Sequence, residues 1–157
     1  MNNNHNNLET LREINNLKAK EVAERLGVYK SIYSEWENNK TPIPTKRLIE
    51  LANIYQINID YLLNLTSKKI TIPDFQSINL KVIGIRLKNI RTALNFSLRT
   101  LGQELNCSFS ALAAYERGEK LINSEILISL ALLSNVSIDY ILGRIPAKNI
   151  LLDNKKH

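Results

Sequence analysis

The 157-residue chain has one cysteine, Cys107, and two histidines, His5 and His157, one near each end. A single thiol excludes an internal disulfide framework, and no His/Cys cluster has the spacing of a metal site, so neither metal nor cofactor is expected. Five glycines and four prolines leave little room for low-complexity structure. β-Branched and aromatic residues never form a regular series of alternating runs bounded by turns, which excludes an all-β fold. Long apolar runs are missing as well. None approaches the roughly 20 residues that span a bilayer, and the opening MNNNHNN lacks the basic start and apolar centre of a signal peptide. The expectation is an all-α protein of the cytoplasm with no membrane partner. A nucleophile beside a base is absent too, and no enzyme activity is expected.

What is present is a 44% hydrophobic content, ample for packed cores, and a formal net charge of +6. The charge favours a polyanionic partner and is spread evenly: ten Lys/Arg against eight Asp/Glu up to residue 70, eleven against seven after it. The most organised stretch is residues 19–38, AKEVAERLGVYKSIYSEWEN. Val22, Ala23 and Leu26 recur on one helical face, Gly27 interrupts, and a second periodic run turns Tyr33 and Trp36 inward. Ala23 is small enough for two backbones to approach closely, and Gly27 can take the positive φ that ends a helix. Two short helices meeting at such a turn form a helix-turn-helix, whose second helix fits the DNA major groove.

The pattern occurs twice. Residues 8–64 align with residues 87–143 without a gap, and 15 of the 57 pairs are identical, well beyond chance. LIELANIYQINIDYLL answers LISLALLSNVSIDYIL; Ala23 falls on Gly102, Gly27 on Asn106, Trp36 on Tyr115 and Glu37 on Glu116. Arg12 and Glu37 have the same separation along the chain as Arg91 and Glu116, and an ion pair clasping the first and third helices is expected in each copy.

These residues resemble the phage Cro/repressor helix-turn-helix family, often called XRE-like: an arginine on helix 1, a V-A-x-x-L-G-V turn, W/Y-E closing helix 3, then L-x-x-L-A and I-D-Y-L-L. The resemblance covers about 114 of the 157 residues. It implies two tandem five-helix domains and transcriptional control through double-stranded DNA. The expected divisions are residues 1–64 for the first domain, with a disordered asparagine-rich start that includes His5, residues 65–79 for a linker, and residues 80–157 for the second domain and its tail. Fully extended, that linker reaches about 50 Å, enough to cover the roughly 34 Å between half-sites one DNA turn apart.

Within the first domain the helices are expected at residues 8–16, 18–25 and 30–38, with Leu8, Leu11 and Ile14 inward, Thr45 capping the fourth and Asn58 the fifth. In the second domain Ser97, Ser108 and Ser124 are placed to cap helices 2, 3 and 4. Carried over from the family, the base-facing candidates are Tyr29, Lys30, Ser31 and Glu35 in the first copy. Ser108, Phe109, Ser110 and Ala114 match them in the second, of which Ser108 and Ser110 remain polar. Lys18, Lys20, Asn38, Asn39 and Lys40 are the phosphate candidates. Where family members commonly carry a DNA-contacting glutamine, this chain has Ala19 and Leu98. On helix 4, Arg47 and Asn53 become Ile126 and Leu132, so that EILISLALLSN is apolar almost all round; an interface is expected there, with the first domain or with the same surface of another chain in a homodimer. The repeated Asp60-Tyr61 and Asp139-Tyr140 pairs read as structural, and Cys107 as packed. Ile150, Leu151 and Leu152 are expected to pack against the second domain. The function expected is a sequence-specific regulator, repressing by occlusion, with the first copy as main base reader and the second chiefly for association; the alternative is an interaction adaptor that kept the fold and lost DNA reading. Any small-molecule effector is not readable.

Overall fold

The computed structural model describes residues 5–73 and 77–146. Its described residues divide into two compact units, residues 5–73 and residues 77–146. Among the described residues there are ten helices, five in each unit. The first unit holds α1 (Leu8–Ile14), α2 (Ala19–Leu26), α3 (Lys30–Glu37), α4 (Thr45–Tyr55) and α5 (Ile59–Leu62). The second holds α6 (Leu80–Ala93), α7 (Leu98–Leu105), α8 (Phe109–Glu116), α9 (Ser124–Ser134) and α10 (Ile138–Ile141). Helices α7 to α10 repeat α2 to α5 in the register that sets Leu8 on Leu87.

The backbone repeats more strictly than the side chains do. Positive φ angles occur at Asn16, Gly27, Asn39, Gln56 and Asn64 in the first unit and at Asn95, Asn106, Gly118, Asn135 and Gly143 in the second. Taken in order, each of the first set matches its counterpart in the second in that same register. Each site reverses the chain after a helix, and Asn or Gly fills most of them because these residues tolerate the left-handed region.

The longer helices each bury an apolar stripe, while α10 is buried along its whole length. In the first unit, Leu8, Leu11, Val22, Ala23, Tyr33, Trp36, Leu48, Leu51 and Ala52 are buried. Tyr33 and Trp36 meet edge to face, ring centres 6.3 Å apart at 82°, a favoured aromatic geometry. Ile14, expected inward, is 60% exposed. At about 100° for each step, Ile14 lies about 120° around the helix from Leu8, off the stripe that Leu8 and Leu11 define.

Several caps differ from expectation. Ser97 and Ser108 do cap, accepting from the N–H of Thr100 and Ala111. Ser124 instead sits buried in the first turn of α9, and Asn123 caps it by accepting from the N–H of Glu125 and Ile126. Thr45 is likewise inside α4, with Pro44 before it. Asn58 holds the cap position of α5, but its side chain turns away. Its amide donates to the carbonyl of Lys68 at 3.1 Å and its oxygen accepts from Ile70 N–H at 2.9 Å.

That turn corrects the expected linker. The first part of residues 65–79 is docked on the first unit. Ile57 pairs with Thr71 in an antiparallel bridge, Ile72 N–H donates to Gln56 O at 3.0 Å, and Ile72 and Thr66 are buried. At the other end Asn79 already caps α6, accepting from the N–H of Lys81 and Val82. The full expected span is therefore not free to extend. The β-branched residues that break the helical period in KKITI are those that pair along Asn58 and Gln56.

The chain start is also more ordered than expected. Asn6 donates to the carbonyl of Trp36 at 2.8 Å and to Asn39 Oδ1 at 3.1 Å, and His5 Nδ1 lies 3.0 Å from Asn39 Nδ2. Residues 1–4 and the Ile150, Leu151, Leu152 cluster lie outside the described residues.

Candidate nucleic-acid interface

In the first unit α2 ends at Leu26, Gly27 takes φ +67, and Val28 N–H donates back to Ala23 O at 3.0 Å. The chain then re-enters a helix at Lys30 after the extended Tyr29. In the second unit Asn106 takes φ +51 and Cys107 N–H donates to Gly102 O at 2.8 Å. Space is tighter there: a Cβ on Gly102 would stand 2.5 Å from Cys107 O. The small-residue requirement read from Ala23 is therefore absolute in the second turn.

The third helix is held to the first by charge. Arg12 Nε lies 2.6 Å from Glu37 Oε1, and Arg91 Nε lies 2.6 Å from Glu116 Oε1, with a second guanidinium nitrogen on the other carboxylate oxygen in each. The remaining arm of each arginine donates to the carbonyl of Leu17 or Phe96, closing the loop after the first helix. Tyr33 donates to Glu37 Oε1 at 2.9 Å. Burial beside this carboxylate holds the Tyr33 hydroxyl well above its ordinary pKa, and the Glu37 hydrogen bond raises that of Arg12. These pairs set the angle at which α3 and α8 project.

With α3 so fixed, Tyr29, Lys30, Ser31 and Glu35 stand outside the core on its outer side, Tyr29 at 79% exposure. Lys18, Lys20, Asn38, Asn39 and Lys40 are exposed as well. The two asparagines differ from the lysines in having their amides engaged. Asn38 donates to Ser34 O, while Asn39 holds His5 and Asn6. No side chain caps α2 or α3, whose cap positions are Lys18 and Tyr29. The partial positive ends of both helices therefore stand beside exposed lysines, an arrangement suited to phosphate oxygens.

The second unit presents another surface. Ser108 and Ser110 are exposed, but the Ser108 hydroxyl is already spent as a cap and lies 3.5 Å from that of Ser110. Phe109 is 54% exposed. Ala114, matched to Glu35 as a groove-facing position, is buried at 7% exposure; a methyl group there packs inward, where a glutamate projects into water. Sequence reasoning missed Arg99, which lines a cleft of about 460 Å³ with Gln103, Asn106 and Phe109. Its signal was the repeat register, which places it on Lys20. Cys107 is half-buried at the rim, and burial raises its thiol pKa.

On α9, Leu127, Leu130 and Ala131 are buried, Ile126 is half-buried, and Leu132 and Leu133 are 59% and 40% exposed. In the first unit the corresponding face is polar: Arg47 donates to Leu26 O and to Glu50, each at 2.8 Å.

Residues 6–68 match the helix-turn-helix domain family, and residues 87–141 match a second helix-turn-helix family. Together the matches span about three quarters of the chain, which belongs to the helix-turn-helix proteins with one domain in each half. An uncharacterized HTH-type transcriptional regulator of Bacillus subtilis (strain 168), YobD, is 36% identical over 59 residues, 38% of this chain and 53% of that protein. The chain thus matches about half the length of that relative. Among solved structures, the restriction-modification controller protein C.AhdI from Aeromonas hydrophila aligns with TM-score 0.37 and 26% identity over 40% of this chain and 94% of that one. The clp gene regulator ClgR from Corynebacterium glutamicum aligns with TM-score 0.37 and 28% identity over 41% and 68%.

Proposed function

We propose that the chain is a sequence-specific DNA-binding transcriptional regulator that represses by occluding its operator. The observation that carries this reading is the exposed polar ridge of α3, braced from behind by the Arg12–Glu37 pair and flanked by lysines at two helix starts. Lys30 donates to guanine O6 or N7, Ser31 serves either edge, Glu35 accepts from cytosine N4, and Tyr29 packs against the groove wall. Lys18, Lys20 and Lys40 neutralise phosphates, with Asn38 and Asn39 beside them. The second domain adds phosphate and weak base contacts through Ser108, Ser110 and Arg99, and supplies association through Ile126 and Leu132. The naming of the Bacillus relative as an HTH-type transcriptional regulator supports the same reading.

Selection of bound duplexes from a random library tests it. The full chain should enrich one sequence, and Lys30→Ala with Glu35→Ala should lose about 1 to 3 kcal/mol of discrimination at those base pairs while retaining most salt-sensitive affinity. Absence of binding to random or selected duplex, even at low salt, overturns the proposal. The exposed Leu132 and Leu133 favour one second reading, an interaction adaptor without DNA reading. It predicts that the same double variant changes nothing in DNA binding.

A further inference from the structure

Equivalent faces of the two domains carry opposite charge. In the first domain the end of α2 and the outer side of α4 form a cleft of about 300 Å³ lined by Arg25, Leu26, Glu50, Asn53 and Ile54. Lys46 and Arg47 flank Glu50, at 4.0 and 2.8 Å. Three cations and one anion leave this face at +2. In the repeat register, Arg25 becomes Glu104 and Lys46 becomes Glu125, while Arg47, Glu50, Asn53 and Ile54 become Ile126, Ser129, Leu132 and Leu133. The second face is therefore at −2. It has also lost the arginine that crosses the first, and it projects two leucines.

Resting on the association assigned above to the second domain, we propose the partner: the α7–α9 face of one chain seats on the α2–α4 face of a second copy of this chain. Leu132 and Leu133 enter the cleft against Leu26 and Ile54, and Glu104 and Glu125 face Arg25 and Lys46. Leaving water drives the leucines in, and charge selects which face they enter. Two α7–α9 faces brought together would oppose −2 with −2, and two α2–α4 faces would oppose +2 with +2. Only the unlike pair is attractive. Because each chain carries both faces, the proposed dimer makes the contact twice, reciprocally.

Sedimentation equilibrium of the full chain without DNA, with variants checked for helicity and melting by circular dichroism, tests this. The wild type should dimerise, and Leu132→Asp should abolish the dimer. Arg25→Glu with Lys46→Glu should weaken self-association about tenfold, and Glu104→Lys with Glu125→Lys should do the same. An equimolar mixture of those two double variants should recover wild-type affinity as a one-to-one heterodimer, since each then meets the other with unlike charge. If either double variant fails to melt like the wild type, the single changes Arg25→Glu and Glu104→Lys carry the same comparison. Wild-type self-association of the Arg25→Glu, Lys46→Glu chain would mean that α7–α9 faces pair with each other; this overturns the inference and leaves the association role standing. A wild type that stays monomeric overturns both, while DNA selection on the same sample reports separately on the α3 reading.

Discussion

Single side chains decide how closely the two turns can be copied. Ala23 and Gly102 are equivalent, yet a methyl on Gly102 would stand 2.5 Å from a backbone oxygen of its own turn. Gly102→Ala should therefore destabilise the second domain by about 1 to 3 kcal/mol, through forced opening of the turn. Ala23→Gly should cost the first about 0.5 to 1 kcal/mol, through backbone entropy alone. Urea denaturation of the two variants separates these effects. A second residue-scale difference is the Arg144–Asp139 pair, 2.8 Å apart and 1% exposed on both sides. The equivalent of Arg144 in the first domain is Leu65. Arg144→Met leaves a carboxylate buried without that cation and should cost the second domain about 3 to 5 kcal/mol, read from the same denaturation. A loss below about 1 kcal/mol would mean that Asp139 is held by its other partners.

Among the elements, the segment after α5 docks on the first unit without forming a helix of its own. Residues 65–73 are tied down by the side chain of Asn58 and by main-chain bonds to Asn58 and Gln56. Asn58→Ala removes both side-chain bonds and should speed amide exchange at Ile70 first and Ile72 next, with a stability loss of about 1 to 3 kcal/mol. Exchange rates at those amides that match the wild type would mean that the apolar packing of Ile72 suffices. The helices on either side of each turn differ in a related way. Serines cap α7 and α8 and consume first-turn donors, whereas α2 and α3 have none spent on a capping side chain. The first pair leaves its helix starts without a side-chain cap and the second uses serines there for its own stability, a difference visible in Lys18 and Tyr29 against Ser97 and Ser108.

For the molecule as a whole the +6 charge is spread evenly over both halves, so the proposed DNA binding should depend on salt through a few defined lysines. Replacing Lys18, Lys20 and Lys40 by alanine should flatten the slope of log affinity against log salt by about 0.9 for each lysine that neutralises a phosphate. The ranking of duplex sequences should stay the same. An unchanged slope in fluorescence anisotropy titrations would remove these lysines from the interface. Among the described residues no helix is long and apolar enough to cross a membrane.

The helical period, the register of the repeat and the matched spacing of the Arg12–Glu37 and Arg91–Glu116 pairs were all legible in the chain, because each depends on local geometry or on repetition. They sufficed for the two turns and the ion pairs, while five helices in each half were what the resemblance implied, and ten are present among the described residues. Tertiary structure alone decided whether a residue at a fitting position was free to act. Ala114 proved buried because its short methyl stays against its neighbours at a position from which the longer Glu35 reaches water. Asn58 left its cap because a distant segment offered better partners, and that choice shortened the linker. Ile14, by contrast, lay off the stripe through helical phase alone, about 120° from Leu8, and that was legible in the chain. Short-range preferences are written residue by residue, while burial and the choice among competing partners depend on which parts of the chain meet after folding.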